Sequence, residues 1–206
     1  MRCIRHGGAA AEESHMKKTT QYIVGGGLFA AIVAVLQLVG SAIRFGPFSI
    51  SLVLIPIVLA AALYGWGMGC WLGLVFGAVV LLSGDAGLFL AANPAGAIVT
   101  VLAKGIACGA AAGLCYRWLH PRYPGLSILL SALAAPLVNT GVFLLGCRLF
   151  FMPLIHQWAQ QAGYASAGAY LVVGMVGWNF LLETAVNMAL TPMLAQLIRL
   201  GSRRCL

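Results

Sequence analysis

Five long apolar runs occupy most of the chain and constrain its fold more than any other feature. They cover Thr20–Ile43, Ile50–Leu82, Ala95–Tyr116, Leu126–Phe151 and Ala167–Leu197. A helix needs about 20 apolar residues to cross the hydrocarbon core of a bilayer, and every run reaches that length. Because 62% of the residues are hydrophobic and only 8% are charged, the chain lacks the polar surface of a soluble globule. The sequence therefore predicts an all-α integral membrane protein.

The number of membrane spans follows from the second run and from the placement of the basic residues. Ile50–Leu82 is too long for one ordinary crossing, and Tyr64-Gly65-Trp66-Gly67 interrupts it as glycine pairs typically do. Dividing the run there gives six spans, and most basic residues then share one side of the membrane. These residues are Lys17, Lys18, Arg117, Arg122, Arg199, Arg203 and Arg204. Since positive charge marks the cytoplasmic side, we predict six transmembrane helices with both termini in the cytoplasm.

Three segments between the apolar runs are predicted as loops. Ser83–Pro94 is rich in Gly, Asp, Asn and Pro, Arg117–Gly125 is a basic turn, and Met152–Ser166 is polar. In the six-span topology the first and third of these loops lie on the outer side, opposite the basic turn.

The first fifteen residues differ from the rest of the chain. MRCIRHGGAAAEESH is polar and rich in Gly and Ala, whereas Met16 is followed by two lysines and then an apolar run, as at a normal start of a polytopic bacterial protein. The codons for Glu12-Glu13 would resemble a ribosome-binding site. We interpret residues 1–15 as a non-native extension or over-extended reading frame and residues 16–206 as one six-helix membrane domain. The intact mass of the natively expressed protein tests this interpretation.

Polar side chains at membrane depth are the candidates for a binding site, because ionisable groups inside a bilayer are costly and normally face the protein interior. Lys104 lies about 13 Å along its helix from the outer end, at 1.5 Å per residue. Asn139 lies near the middle of the next span, and Asn179, Glu183 and Asn187 recur every four residues on one face of the last. Polar groups that converge from three helices inside an apolar bundle are typical of a small-molecule site.

A second group of residues is predicted at or near the outer mouth of that site, and it consists of Arg44, Asp85, Asn93, Arg148 and His156. Structural roles stay open for both groups. Lys104 and Glu183 can form a buried ion pair, and Asn139 can hydrogen-bond between helices. Asn93, which precedes Pro94, fits an N-cap, and Arg148 fits an interfacial anchor facing lipid.

Several other functions find no support in the sequence. The formal charge of +8 is not accompanied by a basic groove with interleaved aromatic residues, so no nucleic-acid partner is expected. No GxSxG, HExxH or P-loop motif occurs, and we predict neither catalysis nor a cofactor. The six cysteines form no CxxC or Cys/His cluster, so no metal site is expected.

Small residues in the first span provide a further signal. Ala30 and Ala34 are separated by four positions, a spacing that allows another helix to approach closely. The approaching helix can belong to this chain or to a partner membrane protein.

These features together resemble the substrate-binding S component of an energy-coupling factor (ECF) transporter. The resemblance covers nearly all of residues 16–206. It rests on the Lys-rich start, the Ala30-x-x-x-Ala34 pattern, six spans with both termini inside, and three segments of the chain. These segments are Phe45–Pro56, Pro136–Gly146, and Asn179–Asn187 followed by Pro192.

The resemblance implies a multi-pass protein of the bacterial plasma membrane that captures a vitamin or related micronutrient with high affinity. Its partners would be a transmembrane scaffold (T) subunit and two ATPase subunits, which together form an ABC-type importer. Ala30 and Ala34 would lie on the scaffold-docking face. The substrate would sit in the outer half, beneath the segments around Arg44–Ser49, Ser83–Asn93 and Met152–Ser166.

The identity of the substrate stays open at this stage. Lys104, Arg44 and Arg148, set against few acids, favour an anionic or carboxylate-bearing ligand such as a pantothenate-like molecule. Two other classes of protein also stay open. One is a stand-alone secondary transporter, for which Asp85 and Glu183 are the candidate coupling sites, and the other is an accessory subunit that does not transport.

Overall fold

Helices account for nearly all of the described backbone. The computed structural model describes the backbone of residues 6–42, 44–45, 48–49 and 52–202, and the side chains of residues 16, 19–42, 52–177 and 180–200. In chain order the helices are α1 (His6–Ala42), α2 (Leu54–Tyr64), α3 (Trp66–Leu82), α4 (Gly87–Ala92), α5 (Pro94–Leu119), α6 (Pro124–Phe150), α7 (Met152–Gln161), α8 (Ala167–Ala169), a π-helix (Tyr170–Gly177) and α9 (Trp178–Ser202). Between α1 and α2, β1 (Arg44–Phe45) pairs with β2 (Phe48–Ser49) as a short antiparallel hairpin.

The interruption predicted inside the longest apolar run is confirmed. Helix α2 ends at Tyr64, α3 begins at Trp66, and Gly65 between them has a φ of 94°. Glycine adopts this left-handed region without the steric cost that a Cβ imposes. The chain therefore turns at Gly65 and folds the run into two packed helices.

The described helices confirm the all-α class and are consistent with a membrane protein, although they differ in length. Thr19–Ala42, Pro94–Leu119, Pro124–Phe150 and Ala167–Leu200 are long and apolar enough to cross a bilayer. Helices α2 and α3 have 11 and 17 residues, about 17 Å and 26 Å at 1.5 Å per residue, compared with about 30 Å of hydrocarbon. The count of six complete spans and the cytoplasmic location of both termini stay predictions.

Two of the predicted loops contain helix, so the prediction of irregular structure there is wrong. Residues 87–92 form α4, and residues 152–161 form α7. In α7, Pro153 occupies the first turn, where its missing N–H has no cost. The burial pattern within α7 follows the helical spacing of four, since Ile155 and Ala159 are buried and His156 is exposed.

The two terminal apolar runs also depart from simple membrane helices. Helix α1 begins at His6, so the backbone is helical through residues 6–15 without a break at Met16. The interpretation of residues 1–15 as an extension stays a prediction. The last run begins with the π-helix at Tyr170–Gly177 and becomes α-helical only at Trp178.

Glycines mediate the close packing of α3 against α5, which the sequence analysis missed. Gly69 lies against the backbone of Gly109, and Gly73 lies against that of Gly105. A Cβ placed on Gly73 or Gly105 would overlap the carbonyl oxygen of the other residue. Glycines spaced by four thus bring the two backbones into contact, as in other membrane helix pairs.

The bundle has two ends that differ in chemistry. At the first end, α4, α7 and the π-helix enclose an apolar cluster around Phe89, Phe151, Ile155 and Met175. At the second end, the basic turn after α5 meets the last turns of α9, because His120 and Arg199 line one cavity there. We call these the aromatic end and the basic end; the predicted outer side corresponds to the aromatic end.

Candidate functional site

Lys104 lies inside the bundle between two aromatic rings. Its Nζ is 5.5 Å from the ring centroid of Phe76 on α3 and 5.4 Å from that of Phe143 on α6. A cation within about 6 Å of an aromatic face is attracted by the ring quadrupole. Residues of α3 and α6 therefore hold the ammonium group of α5 at a defined position.

Glu183 brings the opposite charge to the same region from α9. The residue is 2% exposed, and Lys104 is the charged group that acts most strongly on it, with the Asn139 amide also adjacent. Neither carboxylate oxygen has a hydrogen-bond partner among the described residues. Lys104 and Glu183 thus attract each other across the bundle without a hydrogen bond joining them.

Further polar atoms are buried without partners within the described part of the chain. They are Gln37 Oε1, Thr100 Oγ1, Asn139 Oδ1, Thr184 Oγ1 and Asn187 Oδ1. Buried polar groups are normally paired, and leaving one unpaired costs about 1–3 kcal/mol. Thr100 precedes Lys104 by one helical turn on α5, so its unpaired hydroxyl lies on the same face of that helix as Lys104.

An aromatic cap covers this polar region at the aromatic end. Phe89 of α4 makes edge-to-face contacts with Phe143, Phe151 and Trp158, at centroid distances of 5.6, 5.0 and 5.7 Å. Phe143 contacts both Lys104 and Phe89, so it connects the cap to the polar cluster. In the sequence, the helical spacing of apolar residues in 152–161 was the pattern that could have predicted the helical part of this cap.

Lys104, Asn139 and Glu183 are therefore the predicted site residues that the structure brings together. Asn93 instead caps α5, because its Oδ1 accepts a hydrogen bond from Gly96 N at 3.0 Å. Arg148 is exposed on α6 and does not join the buried cluster. The side chains of Asn179 and Arg44 lie outside the described residues.

The remaining polar candidates differ in their contacts. Asn187 Nδ2 donates to the backbone carbonyl of Glu183 at 3.0 Å. Gln37 of α1 is 1% exposed and donates to Asp85 Oδ2 at 2.7 Å, a contact that sequence reasoning missed. His156 is exposed on α7.

The predicted docking residues lie on one flank of α1. Ala30 and Ala34 are partly buried, and Ala30 packs against the main core of the bundle. Next to them Ala31 is exposed, and a Cβ on Gly27 would meet no atom within 4 Å. Small side chains on this flank leave room for a helix from outside the chain to approach closely.

The described cysteines are free thiols. These are Cys70, Cys108, Cys115 and Cys147, and the described residues contain no group of three His, Cys, Asp or Glu side chains that could hold a metal ion. Cys108 Sγ donates to the Gly105 carbonyl at 3.1 Å, a bond within its own helix.

The long apolar helices and the buried polar cluster define a multi-pass membrane protein with a polar interior. Residues 21–195 match the family described as ECF transporter, substrate-specific component, and the chain belongs to this family. Its members are substrate-binding subunits of transporters rather than enzymes, with a small molecule as substrate. No curated protein and no solved structure matches the chain significantly.

Proposed function

We propose that the chain captures a small carboxylate-bearing micronutrient between Lys104, Asn139 and Glu183. The observation that carries this proposal is the partly buried Lys104 ammonium, which lies between two aromatic faces and beside unpaired polar atoms. Its charge is available to a carboxylate of the ligand, for which ammonium groups are natural partners.

The unpaired oxygens narrow the class of ligand further. Glu183 and the Oδ1 of Asn139 accept hydrogen bonds and lack donors among the described residues. A ligand that carries a carboxylate for Lys104 and hydroxyl or amide hydrogens for these oxygens would satisfy both sides of the site. A pantothenate-like molecule has this combination of groups.

Mass spectrometry of small molecules carried through purification tests the proposed ligand class directly. The protein is purified in mild detergent without added ligand, denatured, and the released molecules are identified. We expect one carboxylate with several hydrogen-bond donors at close to one molecule per protein. Recovery of a cationic or wholly apolar molecule would contradict the proposed role of Lys104.

We further propose that the chain delivers this ligand as the S component of an importer that contains a T subunit and two ATPases. The flank of α1 with Ala30 and Ala34 would dock on the T subunit, and ATP hydrolysis would drive the cycle. Copurification of the tagged chain with these subunits, followed by ATP-dependent uptake in vesicles, tests the assembly.

Replacing Ala34 with Trp is expected to abolish complex formation, because a large side chain on the small-residue flank prevents close helix approach. Ligand retention by the isolated chain should stay unchanged, since Ala34 is only partly buried and is not among the residues that surround Lys104. Ile32→Trp is the matched control, because Ile32 is 38% exposed on the opposite flank of the same helix. Normal recovery of the T subunit with Ala34→Trp would remove the docking proposal.

Phe89→Leu is expected to speed release of the copurified ligand about fivefold, because an aromatic pair contributes about 0.5–1.5 kcal/mol beyond its buried area. Loss of ligand during timed dialysis measures the effect. Phe150→Leu is the control, since Phe150 contacts Phe151 and is 41% exposed. Equal release from both variants would show that the aromatic cap does not cover the ligand.

A stand-alone secondary transporter is the second candidate function. Glu183 is buried and follows the π-helix by a few residues, and coupling ions bind near interrupted helices in such transporters. Uptake in a strain that lacks ECF ATPases separates the two functions. Full uptake there would favour ion coupling at Glu183, whereas no uptake supports the S component.

A further inference from the structure

The basic end of the bundle contains a cavity that the proposed transport function does not use. Its volume is about 270 Å³, and its walls are His120, Pro124, Gly125, Ile128, Ala195, Ile198 and Arg199. Small-molecule pockets usually measure about 300–1,000 Å³, so this cavity suits a small group or the headgroup of a larger molecule. It lies at the opposite end of α5 from the aromatic cap.

The polar wall of the cavity favours an anion. Arg199 supplies a permanent positive charge, and the N-terminus of α6 supplies the positive end of a helix dipole at Pro124 and Gly125. Tyr123, at the N-cap of α6, makes no side-chain hydrogen bond to that first turn. The first-turn amides are therefore not occupied by a capping side chain.

His120 is held in position at the same wall. Its ring stacks on Tyr116 at 4.6 Å between centroids, and its Nδ1 lies 3.4 Å from Ser127 Oγ. The Ser127 hydroxyl donates its hydrogen to the Pro124 carbonyl at 2.8 Å, so Nδ1 is the donor in its contact with Ser127. These contacts fix the imidazole next to the helix N-terminus without any ligand.

The surroundings of the cavity are typical of the depth of lipid headgroups. Trp118 and Tyr123, in the turn beside it, are 75% and 56% exposed, and exposed Trp and Tyr concentrate at the membrane–water interface. Ile128 and Ile198 form the apolar part of the wall, toward the membrane interior along α6 and α9. The cavity therefore combines a basic rim beside exposed aromatic residues with a buried apolar wall.

We propose that this cavity binds the phosphate headgroup of an anionic phospholipid. Arg199 and the α6 N-terminus bind the phosphodiester, and His120 lines the headgroup position. Basic pockets between membrane helices on the positively charged side bind anionic headgroups by this chemistry. The inference is independent of the micronutrient and of the T subunit.

Native mass spectrometry of the full chain with phosphatidylglycerol or phosphatidylcholine tests the proposal. We expect the protein to retain phosphatidylglycerol in preference to phosphatidylcholine. Arg199→Gln should reduce retention of phosphatidylglycerol about tenfold, since a hydrogen bond to a charged group contributes about 1.5–3 kcal/mol. Arg122→Gln is the matched control, because Arg122 is an exposed basic residue in the turn between α5 and α6, at the same end of the bundle, and does not line the cavity.

A second variant separates occupation of the cavity from surface charge. Gly125→Leu keeps every charge, and a Cβ at Gly125 meets no atom within 4 Å, so the fold should accept it while the side chain fills the cavity. It should lower phosphatidylglycerol retention as Arg199→Gln does. Equal loss from Arg199→Gln and Arg122→Gln, unchanged retention by Gly125→Leu, or no preference over phosphatidylcholine would each overturn the proposal. Displacement of the lipid by equimolar glycerol phosphate would assign the site to a soluble phosphate ester instead and would overturn it as well.

Discussion

Lys104→Met is expected to lower the affinity for the copurified ligand by about 10- to 100-fold, because a hydrogen bond to a charged group contributes about 1.5–3 kcal/mol. The variant should also lose stability. Removing the cation leaves the buried Glu183 carboxylate uncompensated, which typically costs about 3–5 kcal/mol. Ligand retention and thermal unfolding in detergent measure the two effects separately.

The double variant Lys104→Met with Glu183→Gln distinguishes ligand binding from a purely structural ion pair. It removes both charges and should recover most of the thermal stability lost in the single variant, since no uncompensated charge remains. Under the proposed function it should still fail to retain the ligand. Recovery of both stability and ligand would show that the two charges serve only each other, and Lys104 would then be a structural residue.

Gly73→Ala is expected to destabilise the bundle by about 3 kcal/mol, the upper end of the usual cost of overpacking. The added Cβ would overlap the Gly105 carbonyl, and backbone cannot move aside as a side chain can. Helices α3 and α5 must then separate, which would displace Phe76 relative to Lys104. Thermal unfolding followed by intrinsic fluorescence, with ligand retention on the same samples, measures the result.

Gly141→Ala is the matched control for this effect. Gly141 is an exposed glycine in α6, and a Cβ there meets no atom within 4 Å. Replacing a helical glycine by alanine otherwise favours the helix by about 1 kcal/mol, so this variant should be unchanged or slightly more stable. Similar losses from both substitutions would contradict the importance of the α3–α5 glycine contact.

Part of the candidate site could be predicted from individual residues and their depth in the membrane. Lys104 and Glu183 stand out because charged residues are rare in apolar runs, and the cost of burying them requires partners inside the bundle. The adjacency of Asn139 to Glu183 agrees with the predicted convergence of three helices. The same reasoning could not exclude Arg148 from the predicted site, although Arg148 is exposed. Hydropathy indicates the depth of a residue in the membrane but not the direction in which it faces around the helix axis.

Other parts of the site depend on contacts between residues far apart in the chain. The cap joins Phe89 to Trp158, and Gln37 reaches Asp85. Neither pair has a local signature, since such contacts arise only once the helices have packed. Asn93 illustrates the opposite case, because the cap bond to Gly96 is local and was already one of the two open interpretations from sequence.

The sequence by itself determined that this chain is an all-α membrane protein, that its longest apolar run breaks at Gly65, and that Lys104 and Glu183 are the charges to explain. Those conclusions rest on the length of helix that crosses a bilayer, on glycines as local breakers, and on the cost of placing charge in lipid, all of which can be judged from the sequence without knowing the packing. Only the tertiary structure decided that Gly73 meets Gly105, that two aromatic rings hold Lys104, and that the polar segment 152–161 folds as a helix over the bundle. These features depend on which helix faces meet, and that choice is made by packing of the whole bundle.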